Sequence, residues 1–172
     1  MRISTKFCVL IACVCCAGAS LGCGGKPKPD GMPELIPTTV VVTQNGAPLG
    51  DAALTLTSAD GSCKWAVGGR SDAQGRAVLY TQGDYKGAPE GTFKVGVSKF
   101  DIKVKEGAVD DEGNPFKPSP EQLKNPALLD ARFVETTSLI PSDCANAQTS
   151  PLELTISKGA KEVKLDVPSL EK

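Results

Sequence analysis

Serine stands beside lysine twice, at Ser98-Lys99 and Ser157-Lys158. A lysine amine that deprotonates a serine is one hydrolytic pair open to a chain with no histidine. Neighbours on a strand point to opposite faces, however, so adjacency alone does not bring the two groups together. A second cluster, Asp110-Asp111-Glu112-Gly113-Asn114, is rich in the hard oxygen ligands that calcium prefers. It lacks the alternating spacing of an EF-hand loop and reads better as a solvated acidic turn. Asp110, Asp111 and Glu112 are therefore weak metal candidates only. Trp65, Tyr80 and Tyr85 offer the aromatic faces of a glycan platform, but Trp65 alternates with Cys63 and Val67, which places it in the core. The absence of histidine removes Ser-His-Asp and Cys-His catalysis and the common zinc sites. No residue pattern asks for a cofactor, and the expectation is a protein that is not an enzyme.

Cysteine supplies the remaining chemistry. Arg2 and Lys6 precede an uncharged stretch, Phe7 to Leu21, laid out as an export signal. The stretch is shorter than the roughly 20 residues a membrane span needs. Ser20-Leu21-Gly22-Cys23 resembles the lipobox of bacterial lipoproteins, with leucine one place nearer the cysteine than usual. The resemblance implies cleavage after residue 22 and lipidation of Cys23, with 23–36 as a flexible tether. Ala17-Gly18-Ala19 is a competing site for ordinary signal peptidase. Cys8, Cys13, Cys15 and Cys16 lie too early in the apolar stretch to be lipidated and serve there as small hydrophobes. Beyond Cys23 only Cys63 and Cys144 remain. In an oxidising compartment they are a candidate disulfide closing about 80 residues, for which chain entropy gives about 4 kcal/mol. Two unpaired thiols are the alternative.

The exported part, about 150 residues, suits one domain that buries roughly 68–70% of its unfolded surface. The chain carries 19 Lys+Arg against 20 Asp+Glu, scattered without a basic patch, which argues against nucleic acid.

Period-two alternation predicts the elements. Strands are expected over Thr38–Thr43, around Leu54 and Leu56, over Cys63–Val67, over Arg76–Thr81 and over Thr92–Phe100. Two more are expected around Leu152–Ile156 and Val163–Val167. Asn45-Gly46, Asp60-Gly61, Asp72–Gly75 and Gly159-Ala160 are the turns. In the strand Thr92–Phe100, Phe93, Val95 and Val97 point inward while Lys94, Gly96 and Ser98 point outward. The whole predicts an all-β fold, a seven-stranded antiparallel β-sandwich over 37–168. The stretch Asp101 to Ser150 breaks the rhythm. Within it Ser119-Pro120-Glu121-Gln122 has the form of a helix start with a capping box, and Asn125-Pro126 a second one. A short helical excursion is expected there.

Several of these turns resemble those of carboxypeptidase-regulatory-like, transthyretin-like domains. They are Asn45-Gly46-Ala47-Pro48-Leu49-Gly50-Asp51-Ala52, Ser71-Asp72-Ala73-Gln74-Gly75-Arg76-Ala77 and Pro89-Glu90-Gly91-Thr92-Phe93-Lys94-Val95. Thr149-Ser150-Pro151-Leu152 is similar to the terminal strand of small envelope lipoproteins of planctomycete-type bacteria. The resemblance implies a non-catalytic sandwich in the cell envelope, lipid-anchored and acting as a structural or interaction module. A small-ligand or glycan-binding module, with or without the help of calcium, is the second expectation. On the first, the exposed sheet edges and the insert 101–150 are the contact surface, because loops on a rigid scaffold carry recognition.

Overall fold

The β-branched run Thr39–Gln44 forms β1 and turns at Asn45-Gly46, both with positive φ, into β2 (Ala47–Pro48). This is the two-residue hairpin that Asn-Gly favours. A computed structural model describes residues 27–170. The strands that follow are β3 (Ala53–Ser58), β4 (Val67–Arg70), β5 (Arg76–Val78), β6 (Tyr80–Thr81) and β7 (Tyr85–Lys86). After them come β8 (Gly91–Ser98), β9 (Phe100–Val104), β10 (Val134–Ser138), β11 (Glu153–Ile156) and β12 (Glu162–Val167). Helix α1 (Pro120–Lys124) and a 3-10 turn (Pro126–Leu128) lie between β9 and β10, and α2 (Ser142–Ala145) follows β10.

Two sheets enclose the core. One has the order β12-β1-β2, with β5 also on β1, and the other runs β11-β8-β3-β4-β6-β7. Val40, Val42, Leu165 and Val167 from the first sheet meet Leu54, Leu56, Phe93, Val95, Val97 and Ile156 from the second in one buried cluster. Alternation explains these positions, since on β3, β11 and β12 each buried apolar residue is flanked by exposed or half-buried ones. The packing is sandwich-like, as expected.

The structure corrects the expected fold in four places. First, β12 runs parallel to β1, Thr39 facing Glu162 and Gln44 facing Val167, so that sheet is mixed and not purely antiparallel. The Gly159 turn carries the chain from one sheet to the other and does not close a hairpin. Second, there are twelve short strands among the described residues, not seven. Arg76–Thr81 divides at the fully buried Leu79: β5 pairs with β1, whereas β6 pairs with β4 in the opposite sheet. Third, Cys63 and Trp65 are half-buried loop residues, because the Asp60 carboxylate accepts from the Ser62 N–H and prolongs the turn. The return strand begins only at Val67. Fourth, the insert contains a β9–β10 hairpin, Val104 facing Val134 and Phe100 facing Ser138. The helical excursion is where the capping signal put it. The Ser119 hydroxyl accepts from the Gln122 N–H and the Gln122 side chain accepts from the Ser119 N–H.

The domain also reaches further toward the N-terminus than residue 37. Leu35 is buried and Ile36 exchanges two backbone hydrogen bonds with Ala88.

The corner from Ser71 to Ala77 is held by side chains. Buried Ser71 accepts from the Ala52 N–H at 2.9 Å and donates to the Leu49 carbonyl at 2.7 Å. Asp72 accepts from the N–H groups of Gln74 and Arg76. Ser71→Ala leaves a buried N–H and a carbonyl without this partner, a loss of about 1–3 kcal/mol. Ser71→Thr, which keeps the hydroxyl, is expected to retain most of that stability in urea unfolding.

Candidate interaction groove beside the insert

One rung of the six-stranded sheet sets the floor of a groove. Ala53 faces Arg70 on β4 and Ser98 on β8, and Leu54 beside it points into the core, so this rung faces outward. Phe100 and Ile102 of β9 and Pro120, Leu123, Lys124 and Pro126 of the helical excursion form the walls. Asp51 and Lys99 complete the lining of a space of ≈ 500 Å³. Arg70 ties the two sides together, donating to the Lys124 carbonyl at 2.8 Å and lying 3.7 Å from the Asp51 carboxylate. The capping box fixes where α1 starts, so the same signal that nucleates the helix also places Leu123 over the groove.

The segment that contributes the groove walls is also the most exposed in apolar side chains. Of eight large exposed hydrophobic side chains among the described residues, six lie between residues 100 and 139: Phe100, Val104, Val109, Leu123, Leu128 and Leu139. Farther out, Phe116 stacks on Phe133 with ring centroids 4.6 Å apart, and Arg132 covers Phe133 while pairing with Asp130 at 2.7 Å. That ion pair holds the Asp130 carboxyl below its usual range and raises the Arg132 guanidinium.

Of the residues singled out in the sequence, Cys23 lies outside the described residues. Cys63 and Cys144 are free thiols and do not form the bridge considered above. Cys144 sits on α2, which covers the outer face of β8 at Gly96, whereas Cys63 lies beyond the far end of β3. The run from Gly96 to Phe93 alone covers about 10 Å at strand rise, and a disulfide tolerates a Cα separation of only about 7 Å. Burial pushes the Cys144 thiol up, and the Asp143 carboxylate adds to this, so the group stays protonated.

The acidic loop is a closed turn. Asp110 accepts from the N–H groups of Glu112 and Asn114, Asp111 points to Arg132 at 3.9 Å, and the carboxylates of Asp110, Asp111 and Glu112 do not converge. Trp65 is not in the core. It lines a second pocket, ≈ 420 Å³, together with Cys63, Lys64, Glu34, Glu90 and Lys158, and the Lys64 ammonium lies 5.5 Å from its ring centre. Tyr80 and Tyr85 alternate across the β6–β7 pairing and face opposite sides, so the three aromatics make no common platform. Lys158 pairs with Glu34 at 3.0 Å, which raises its pKa, the wrong direction for a base acting on Ser157. Ser98 and Lys99 both border the groove, but no hydrogen bond joins them.

Arg70, Lys124 and Leu123 were not singled out by sequence reasoning. Arg70 and Lys124 come from elements fifty residues apart, and only the folded insert brings them together.

Comparison with protein-family models, with curated proteins and with solved structures finds no match in any of the three. The fold itself defines the class: an all-β domain with sandwich-like sheet packing and a short helical insert before the C-terminal strands. No helix among the described residues is long and apolar enough to cross a membrane.

Proposed function

We propose that the chain is an exported lipoprotein, held to a membrane of the cell envelope by lipid on Cys23. Its β-domain is a non-catalytic structural or interaction module that meets its partner through the insert. The observation that carries the contact role is the concentration of exposed apolar side chains between Phe100 and Leu139. Elsewhere the described surface leaves only Tyr80 and Leu170 exposed among the large hydrophobics. Exposed apolar side chains gathered in one segment of an otherwise polar surface mark a place where something binds. The envelope setting is supported by the leader and the lipobox-like Ser20–Cys23, and the regulatory-like family by the Ser71–Ala77 corner. That family assignment is part of the proposal.

Two measurements test it. Cys23→Ala is expected to move the protein from the membrane to the soluble fraction, because acyl chains contribute about 0.8 kcal/mol per buried CH₂. A variant that sediments with membranes as firmly as wild type would place the anchor elsewhere. For the contact role, residues 106–132 are replaced by a short turn. This spares the hairpin and α2, whose Cys144 belongs to the core. Capture from envelope extracts is then compared, and identical partners with and without the segment would remove residues 106–132 from the contact surface.

A small-ligand or glycan module is the second reading, favoured by the position of Trp65 in the ≈ 420 Å³ pocket. It predicts a thermal shift with sugars, following RT ln(1 + [L]/Kd), that Trp65→Ala abolishes. No shift across a panel of sugars with and without Ca²⁺ would count against it.

A further inference from the structure

We propose that the free edge of β9, where it borders the groove, accepts one extended strand of an acidic, apolar-bearing peptide from a partner protein. This strand site deepens the contact role given to the insert and rests on it. The edge is defined by hydrogen-bond phase. Lys105 donates to the Phe133 carbonyl and Leu139 to the Lys99 carbonyl, both at 2.9 Å. In an antiparallel pair the backbone groups alternate in direction, so those of Asp101 and Lys103 face β10 and those of Phe100, Ile102 and Val104 face away. None of these outward groups has a hydrogen-bond partner among the described residues. An unpaired edge is a template for another strand unless charge, proline or a covering element blocks it. Here Phe100 and Ile102 also line the groove.

Charge selects the occupant. The groove's only lining carboxylate, Asp51, faces Arg70, while the ammonium groups of Lys99 and Lys124 have no ion-pair partner among the described residues. Two unneutralised cations favour an anionic partner. The walls choose between classes of anion. Apart from Phe100 they are aliphatic and proline-rich, which suits alternating valine, isoleucine or leucine side chains better than sugar faces. An added strand uses its backbone for affinity and alternate side chains for selectivity. Acids on one face would meet Lys99 and Lys124, with apolar residues toward Phe100 and Leu123.

A phage library of random heptapeptides, panned against the full-length protein in detergent, tests the site. The expected result is enrichment of Asp or Glu alternating with β-branched or apolar residues. Synthetic copies of the selected peptides should lose about tenfold or more in affinity on Lys99→Glu/Lys124→Glu, and weaken with salt. Ile102→Pro removes an N–H that the fold does not use and should abolish binding, whereas Ile102→Ala keeps the N–H and should retain it. Circular dichroism and melting confirm that each variant is folded. Selected peptides without acids, or equal binding to the charge-reversed variant, would overturn the proposal. So would two other results: a homodimer in sedimentation that Ile102→Pro dissociates, or charge-dependent binding to phosphatidylglycerol vesicles when no peptide is selected. The broader contact role fails on a different measurement, capture that is unchanged without residues 106–132.

Discussion

Phe93→Ala is expected to cost about 3–5 kcal/mol of stability, the usual loss for a fully buried phenylalanine. Phe93 is 1% exposed and heads the fully buried side chains by volume. It sits on β8, between Ser58 of β3 and Leu154 of β11, where both neighbouring strands are fixed by their own ladders. Such a site collapses poorly, so most of the cavity persists. Domains of this size have only about 5–15 kcal/mol in total, so the variant should be near the edge of folding at 37 °C. Urea unfolding followed by Trp65 fluorescence measures the loss as a drop in midpoint at nearly constant slope. Phe100→Ala is the comparison, since Phe100 is 41% exposed and its removal should change stability by no more than about 0.5 kcal/mol. If the two variants unfold alike, the assignment of β8 to the centre of the sheet is wrong.

The second large effect is expected at Gly75. Its φ is +76°, and a Cβ there would lie 2.5 Å from the Val42 carbonyl oxygen and 3.2 Å from the Leu49 nitrogen. Both obstacles are backbone, so neither can swing aside. Gly75→Ala combines about 1–2 kcal/mol for the left-handed conformation with about 1–3 kcal/mol for forced overlap. Gly46 separates the two causes. It has φ +75°, and a Cβ added there would meet nothing within 4 Å, so Gly46→Ala carries only the conformational part. The difference in melting temperature between the two variants measures the contact. Exchange of the Val42 N–H, which donates to the Gly75 carbonyl at 2.8 Å, should rise only in Gly75→Ala.

Local chemistry was the readable part of this chain. Asn45-Gly46, the Ser119 capping box and the inward set Phe93, Val95 and Val97 each act over a few residues, and the structure has all of them. Gly96 shows where local reading stops. It alternates outward as expected, yet it is buried because Ala145 and Ala147 of the α2 region lie against it. Nothing near Gly96 in the chain announces that cover. The same holds for the break at Leu79, where one apolar alternation serves two sheets in turn. β9 is a different kind of miss. Phe100, Ile102 and Val104 alternate with Asp101 and Lys103, so the pattern was present, but it continued from β8 without a turn signal at Lys99. The groove was the least legible feature, since Ala53, Arg70 and Ser98 become neighbours only through pairing register. The signal for lipid on Cys23 is linear and owes nothing to the fold.

The parallel pairing of β12 with β1 also sets the order in which this domain can assemble. Thr39–Gln44 is among the first strands made, and the partner that covers one of its edges, Glu162–Val167, is among the last. Contacts between segments so far apart form late in folding and slow it. Until the final strand arrives, Val40 and Val42 lack the neighbouring Leu165 and Val167, and the first sheet has an open side. A chain that threads through a membrane before folding is helped by such a delay, because its N-terminal half has no finished structure to unravel. The same delay is a hazard, since an open hydrophobic strand edge invites aggregation. A chain stopped before residue 162 should therefore be recovered as aggregate or degraded, however intact the strands that precede the missing one.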